Sequence, residues 1–322
     1  MTTLTEHFKT LKNPDADGLG RIIVALTEAG KTIAAQLSRA ALVGMLGTTG
    51  SKNVQGETVK KLDAWSNDIV VDALRASGRV STMVSEEMDD PVRVSGVRDG
   101  YVACFDPVDG SSNLDVNGIV GTIFSIRRAT GDADHVQAGT TQVAAGYIMF
   151  GPSTLLVLTT GEGVNGFTVD PATGAFTLSY SKIRMPARGK IYSTNEGNTS
   201  KWEPGVRRWV EHLKAADPAT GPPYTARYVG SFVADMHRTL LEGGIYCYPA
   251  ETAADPKSAG KLRLQYEAAP MAMIAEQAGG RATTGRERIL EITPTTHHQR
   301  VPLFIGSADD VALAEEFITG RR

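Results

Sequence analysis

The sequence predicts an α/β protein of the layered α+β kind, and three observations carry that prediction. Residues 19–73 hold apolar side chains at helical spacing on either side of a polar break. Residues 142–180 form a run of short apolar segments punctuated by glycine and proline, the pattern of a β-meander. From residue 190 onward, strand-like and helix-like segments alternate. A chain of 322 residues suggests about two domains and is ample for a large core.

The elements follow in order. Residues 19–46 read as one long helix or two, because Leu19, Ile22, Ile23, Leu26, Ile33 and Leu37 share one face. Within them, Gly30-Lys31-Thr32 imitates the end of a phosphate-binding loop. Ala25 stands where the first glycine belongs, and no strand precedes it, so it is rejected as a nucleotide site. Residues 47–56 are polar and glycine-rich, which predicts a mobile loop. A second helix carries Val59, Leu62, Trp65, Ile69, Val70 and Ala73 on one face, with Asp63 at its border. An acid near a helix start is ordinary.

Residues 80–85 are a strand candidate that runs into Glu86-Glu87. Adjacent acids on a strand point to opposite faces, so a site using both requires the chain to have left strand geometry. Residues 101–105 are a short buried strand, expected to end at Asp106 because Pro107 cannot donate to the ladder. Another strand is expected at 120–127, then meander strands at 143–150, 154–159, 166–169 and 176–180. A domain boundary is placed at residues 186–189, dividing the chain into 1–187 and 188–322. In the second part, strands are expected at 190–193, 227–229, 245–248 and 303–306. Helices are expected at 204–215, with Pro204 early, and at 231–242, closed by Gly243-Gly244. Two more are expected at 264–278, strained by Pro270, and at 308–318.

Bulk properties exclude several classes. A net charge of −3 argues against broad nucleic-acid or membrane binding. The two cysteines, Cys104 and Cys247, sit in apolar runs and read as buried thiols rather than a disulfide, which suits a reducing compartment. Residues 1–10 lack an apolar export segment, and no apolar run reaches membrane-spanning length, so a cytoplasmic protein is expected.

The chemistry concentrates in Phe105-Asp-Pro-Val-Asp-Gly-Ser-Ser-Asn113. Converging carboxylates at Asp106 and Asp109 suit hard divalent cations. The Gly-Ser-Ser run offers backbone N–H groups and hydroxyls to an anion. A turn rich in Asp, Gly and Ser is also common loop chemistry. Glu86 and Glu87 end a neighbouring strand candidate, and four acids brought together repel unless a cation offsets them. Glu267 interrupts an apolar helix start; a buried acid wants a partner, and Arg263 four residues earlier could supply a plain salt bridge. His297 and His298 are adjacent and cannot easily share one ion.

At this level the sequence resembles the class I fructose-1,6-bisphosphatases over nearly its whole length. The residues that carry the resemblance are Asn53-Val-Gln-Gly56, Lys60-Lys-Leu-Asp63, Val84-Ser-Glu-Glu87, the Phe105 to Asn113 motif and Val120-Gly-Thr-Ile-Phe124. Asn195-Glu-Gly-Asn198, Ala226-Arg-Tyr-Val-Gly-Ser231, Gly260-Lys-Leu-Arg263 and His298-Gln-Arg-Val-Pro302 complete it. The Asp-Pro-x-Asp-Gly part is shared with inositol monophosphatases, whereas the whole set in order is specific.

The resemblance implies a sugar-phosphatase fold of alternating helix and sheet layers (αβαβα). It implies Mg²⁺-dependent hydrolysis of the 1-phosphate of fructose 1,6-bisphosphate, with Mn²⁺ or Zn²⁺ as substitutes. The implied metal ligands are Glu86, Asp106, Asp109, Glu267 and the carbonyl of Val108, where the family usually has leucine. Asp63 and Glu87 match the residues that orient and deprotonate the attacking water. Asp109, Gly110, Ser111 and Ser112 match the contacts to the 1-phosphate end. Asn195, Arg227, Tyr228, Tyr246, Cys247, Tyr248 and Lys261 match the sugar and far-phosphate end, with Arg227 lent by a neighbouring subunit of a homotetramer. Without the resemblance, Tyr228 and Tyr248 would read as core aromatics and Lys261 as surface charge.

The polar segment 47–61 matches a loop that closes over the metals, with Glu57 where aspartate is usual. AMP-inhibited members carry a Thr-Gly-Glu-x-Thr helix start and a lysine before the Tyr-Val-Val strand. Here those positions read Ala16-Asp17-Gly18-Leu19-Gly20 and Gly100, so AMP inhibition is expected to be weak or absent. The rival readings are preference for sedoheptulose 1,7-bisphosphate, an inositol monophosphatase-like activity, and a catalytically silent sugar-phosphate sensor.

Overall fold

A computed structural model describes residues 1–11, 16–52, 58–97, 100–131, 134–217, 221, 223–252 and 260–322. Its centre is an eight-stranded sheet. From edge to edge the strands are Phe176–Ile183, Val164–Val169, Thr154–Thr159, Gln142–Phe150, Val120–Arg128, Tyr101–Asp109, Val80–Ser85 and Val92–Arg93. The expected meander forms one wing of it. A five-stranded sheet holds Thr225–Ala226, Ile191–Ser193, Ile245–Tyr248, Leu303–Gly306 and Arg281–Thr283 in that order.

Side-chain alternation along the strands builds the layers. Phe124, Ile148 and Leu156 face helices Ala16–Leu37 and Lys61–Ala76 in one apolar cluster. Their neighbours Ile123, Tyr147, Leu155 and Val157 face helices Phe232–Glu242 and Ala269–Gln277, which also cover Ala282, Leu303 and Ile305 of the smaller sheet. That sheet's other face, through Tyr192, Ile245, Cys247 and Phe304, packs on helices Pro204–Lys214 and Ile318-ended Ala308–Ile318. The stack is helix, sheet, helix, sheet, helix. The layered α/β prediction therefore holds.

Several elements differ from expectation: the first helix ends at Leu37 instead of reaching residue 46, and Val59 lies in the strand Thr58–Lys60 just before the second helix. The strand Tyr101–Asp109 does not stop at Asp106 but runs through the acidic motif. Residues 227–229 are irregular, and the strand lies just before them at Thr225–Ala226. The helix expected at 264–278 opens as a π-helical turn, Leu264–Ala268, before becoming α-helical. Pro270 lacks an N–H and would crowd the carbonyl of an α-helical turn behind it, and the wider turn relieves that conflict. Finally, Thr48–Lys52 and Thr58–Lys60 pair antiparallel within the segment read as a loop. Residues 53–57, and with them Glu57 and the Asn53 to Gly56 match, lie outside the described residues.

Candidate active site

The acidic motif is shaped by a bulge. Asp106 pairs with Ile123, whereas Asp109 pairs with Gly121 on the adjacent strand. Three steps on one strand are thus matched to two on the other. In a regular strand, residues three apart point to opposite faces; the extra residue brings both carboxylates to the same side. Pro107 occupies the bulge, where its missing N–H costs no ladder bond, and its carbonyl accepts from the Thr122 hydroxyl at 2.8 Å. Val108 donates its N–H to Asp106 Oδ1 at 2.9 Å.

Gly110 follows at φ +77, a left-handed conformation that suits glycine. A Cβ there would lie 2.6 Å from the Ser231 Cβ. Ser111 and Ser112 open a 3-10 turn, Ser111–Val116, so its free N–H groups are available to an anion. Glu86 and Glu87 lie in the turn just after strand Val80–Ser85, as a shared site requires. Glu267 projects from the π-helical turn, a feature often found at functional sites.

These groups line one cleft of about 260 Å³. The carboxylates of Asp106, Asp109 and Glu267 each offer an oxygen within 4.8 Å of the others, and all three residues are buried. Burial pushes Asp106 well above the usual carboxylate range, and Glu86, Asp109 and Glu267 add to it. Burial likewise lifts Asp109 to about 7, against hydrogen bonds from the Val233 N–H and the Ser231 hydroxyl. Burial also lifts Glu267 to about 7, with Glu86 adding and Arg263 opposing. Hard oxygen donors this close and this reluctant to ionise together fit a divalent cation, whose charge would offset their repulsion. The acidic cluster could therefore hold a metal ion.

The plain salt-bridge alternative for Glu267 is also present, with a different emphasis. Arg263 donates its backbone N–H to Glu267 at 2.6 Å, while its guanidinium lies 2.8 Å from Glu86 and 3.9 Å from Glu267. One buried arginine thus faces both glutamates. Asp63, in the first turn of its helix, accepts the Lys60 N–H at 3.3 Å. Its other oxygen is buried with no hydrogen-bond partner among the described residues. Burial lifts Asp63 to about 6, opposed by Lys60 and the Ser111 hydroxyl. A proton acceptor at the cleft wall with an idle oxygen suits holding or taking a proton from water.

The same cleft is also lined by Tyr228, Tyr246, Tyr248 and Lys261, the residues assigned to the second-phosphate end. Lys261 Nζ lies 5.5 Å from the Tyr248 ring centre, and Tyr246 stacks on Phe232 at 4.7 Å. Asn195, Arg227 and Cys247, assigned to the same end, are not among the residues that line the cleft. Asn195 uses its side chain to accept the Gly197 N–H at 3.2 Å. The Cys247 side chain is fully buried among Tyr192, Trp209 and Phe304, facing away from the cleft lining. Arg227 is exposed and donates to its neighbour Ala226's carbonyl at 3.0 Å. Sequence reasoning named Ser231 only as part of a matched segment and a helix start, and did not single out Val233 or Asp235: their contacts span more than a hundred residues or arise from a loop's hydrogen bonds.

Residues 3–181 match the family description "Fructose-1-6-bisphosphatase, N-terminal domain", and residues 185–319 match "Fructose-1-6-bisphosphatase, C-terminal domain". The fructose-1,6-bisphosphatase class 1 of Chlorobium chlorochromatii is 52% identical over 318 residues, covering 96% of this chain and 95% of that protein. The class 1 protein of Chloroherpeton thalassium is 51% identical, covering 96% and 90%. Among solved structures, Leishmania major fructose-1,6-bisphosphatase in holo form superposes with a TM-score of 0.92 at 41% identity, covering 99% of both chains. Its apo form gives 0.87 at 40% identity over the same coverage. With both domains matched and half its residues shared with class 1 relatives, the chain belongs to the fructose-1,6-bisphosphatase family.

Proposed function

We propose that this chain is a phosphoric monoester hydrolase that converts fructose 1,6-bisphosphate to fructose 6-phosphate and inorganic phosphate. The observation that carries the reading is one cleft lined by a buried carboxylate trio together with three tyrosines and a lysine. Glu86, Asp106, Asp109, Glu267 and the Val108 carbonyl would hold Mg²⁺, with Mn²⁺ or Zn²⁺ as substitutes. When bound, the cation would neutralise phosphoryl charge and lower the cost of packing these acids together.

The chain's own groups do the rest. Gly110, Ser111 and Ser112 bind the reacting phosphate through N–H groups and hydroxyls. Asp63 and Glu87 orient the attacking water and accept its proton. Tyr228, Tyr246, Tyr248 and Lys261 bind sugar and second phosphate, joined by Asn195, and by Arg227 from a neighbouring copy in a homotetramer. The metal and reacting-phosphate groups come mainly from residues 1–187, with Glu267 added from residues 188–322, which also supply the sugar and second-phosphate groups. No helix among the described residues is long and apolar enough to cross a membrane.

Phosphate release from fructose 1,6-bisphosphate, measured with Mg²⁺ and with chelator, tests this reading. Turnover that requires the cation is expected. Substrate binding without phosphate release would establish the silent-sensor reading instead. Sedoheptulose 1,7-bisphosphate assayed in parallel decides whether the longer sugar is a second or preferred substrate.

A further inference from the structure

A bisphosphatase must keep its two phosphate subsites at a fixed separation. Asp109 belongs to the large sheet, whereas Tyr228, Tyr248 and Lys261 come from the second half of the chain. The segment 227–235 joins them, and it is held from both sides. On the reacting side, Asp109 Oδ2 accepts the Val233 N–H at 2.8 Å and the Ser231 hydroxyl at 3.1 Å. The Asn113 side-chain amide also donates to the Gly230 carbonyl at 3.2 Å.

On the other side stands Asp235, fully buried. Its carboxylate accepts the Val229 N–H at 3.0 and 3.2 Å and the Gly230 N–H at 3.2 Å. It also accepts the Ser193 hydroxyl at 3.0 Å and pairs with Arg238 at 2.7 Å. The single Ser193 hydroxyl proton is shared between Asp235 and the Arg227 carbonyl, and Arg238 donates to that carbonyl as well, at 3.1 Å. The backbone on either side of Tyr228 is therefore pinned to one carboxylate and its two partners. Irregular surface segments are otherwise free to shift. This one, which carries a 41% exposed Tyr228, is anchored as tightly as a core element.

We propose that Asp235, with Ser193 and Arg238, is a positioning element that sets the distance between the reacting phosphate and the second phosphate. It selects substrates by length, without touching them. The inference rests on the reading that Tyr228 belongs to the second-phosphate end. A misplacement of that ring by an ångström or so weakens the far contact while leaving the chemistry at Asp109 untouched.

Asp235→Asn tests it. Asparagine keeps the shape but turns one acceptor into a donor that faces N–H groups, and it removes the charge opposite Arg238. The KM for fructose 1,6-bisphosphate should rise roughly tenfold with kcat within about twofold. The kcat/KM for fructose 1-phosphate, which lacks the second phosphate, should change by no more than about twofold. Ser193→Ala removes the one donor shared by Asp235 and the Arg227 carbonyl and should shift KM in the same direction by less, which keeps the test open if Asp235→Asn does not fold. Equal losses on both substrates, or full retention of the wild-type preference for the bisphosphate in both variants, would overturn the positioning role. A wild-type enzyme with no preference for the bisphosphate over fructose 1-phosphate would instead overturn the second-phosphate reading, and this inference with it.

Discussion

Asp63 is built to be costly to the folded protein, and Asp63→Asn measures that cost. Burial lifts its carboxyl from 3.8 to about 6, even after the opposing pull of Lys60 and Ser111. An unfolded aspartate loses its proton near pH 4, so between there and pH 6 the folded state holds a proton that the unfolded state has released. Stability of the metal-free protein therefore falls as pH rises through that window, and the penalty is complete above it. A shift of about 2 units, at about 1.4 kcal/mol each, corresponds to about 3 kcal/mol. Asparagine cannot ionise, and it retains an acceptor for the Lys60 N–H. The variant should match the parent at about pH 4 and exceed it by up to about 3 kcal/mol at pH 8. Urea unfolding in chelator across this pH range is the assay, with thermal midpoints where refolding is incomplete. The same variant should lose turnover by roughly 100-fold or more, because it can no longer accept a proton. A stability difference that does not change with pH, or a variant weaker than the parent at pH 8, would show that the carboxylate ionises without penalty and would sink the argument.

Other outcomes follow from single contacts. Arg263→Met strips the buried cation that faces Glu86 and Glu267, which should cost about 3–5 kcal/mol in metal-free protein. Mg²⁺ should then raise the variant's melting temperature by more than it raises the parent's; equal increments would mean that arginine and metal do not compete to neutralise the same acids. Lys261→Ala should raise KM for fructose 1,6-bisphosphate roughly tenfold with little change in kcat, and steady-state kinetics showing a fall in kcat alone would reject its binding role. AMP should leave activity unchanged through the micromolar range. Asp17 is exposed at the helix start, and a side chain at Gly100 would collide with Val97 and the Arg79 carbonyl. A clear inhibition curve at low micromolar AMP would contradict this.

The strands Val80–Ser85, Thr154–Thr159 and Ile245–Tyr248 were legible to the residue, because short apolar runs between turn residues have one economical conformation. The strand through the acidic motif was not. Pro107 signals a break in a ladder, and nothing local distinguishes a strand end from a bulge that lets the strand continue. The π-helical turn under Glu267 was foreshadowed by Pro270, but whether strain ends a helix or widens it depends on what packs around it. Cys247 and Tyr246 are neighbours that alternate across a strand, so a resemblance that assigns both to one ligand is resolved only by the sheet's faces: Tyr246 lines the cleft and the Cys247 side chain does not.

The sequence by itself supplied the acids that line the cleft, Glu86, Glu87, Asp106, Asp109 and Glu267, a glycine-serine turn beside them, and the helix and strand periods that build the layers. Ionisable groups declare themselves wherever they stand in a chain. The tertiary structure decided which of them meet. A bulge turned Asp106 and Asp109 to one side, Arg263 reached Glu86 as well as Glu267, and Asp109 and Asp235 came to hold the same nine residues from opposite sides. Such meetings join residues up to 177 positions apart, as Arg263 and Glu86 are. Spacing along a chain carries no record of them, because convergence is set by how whole layers pack.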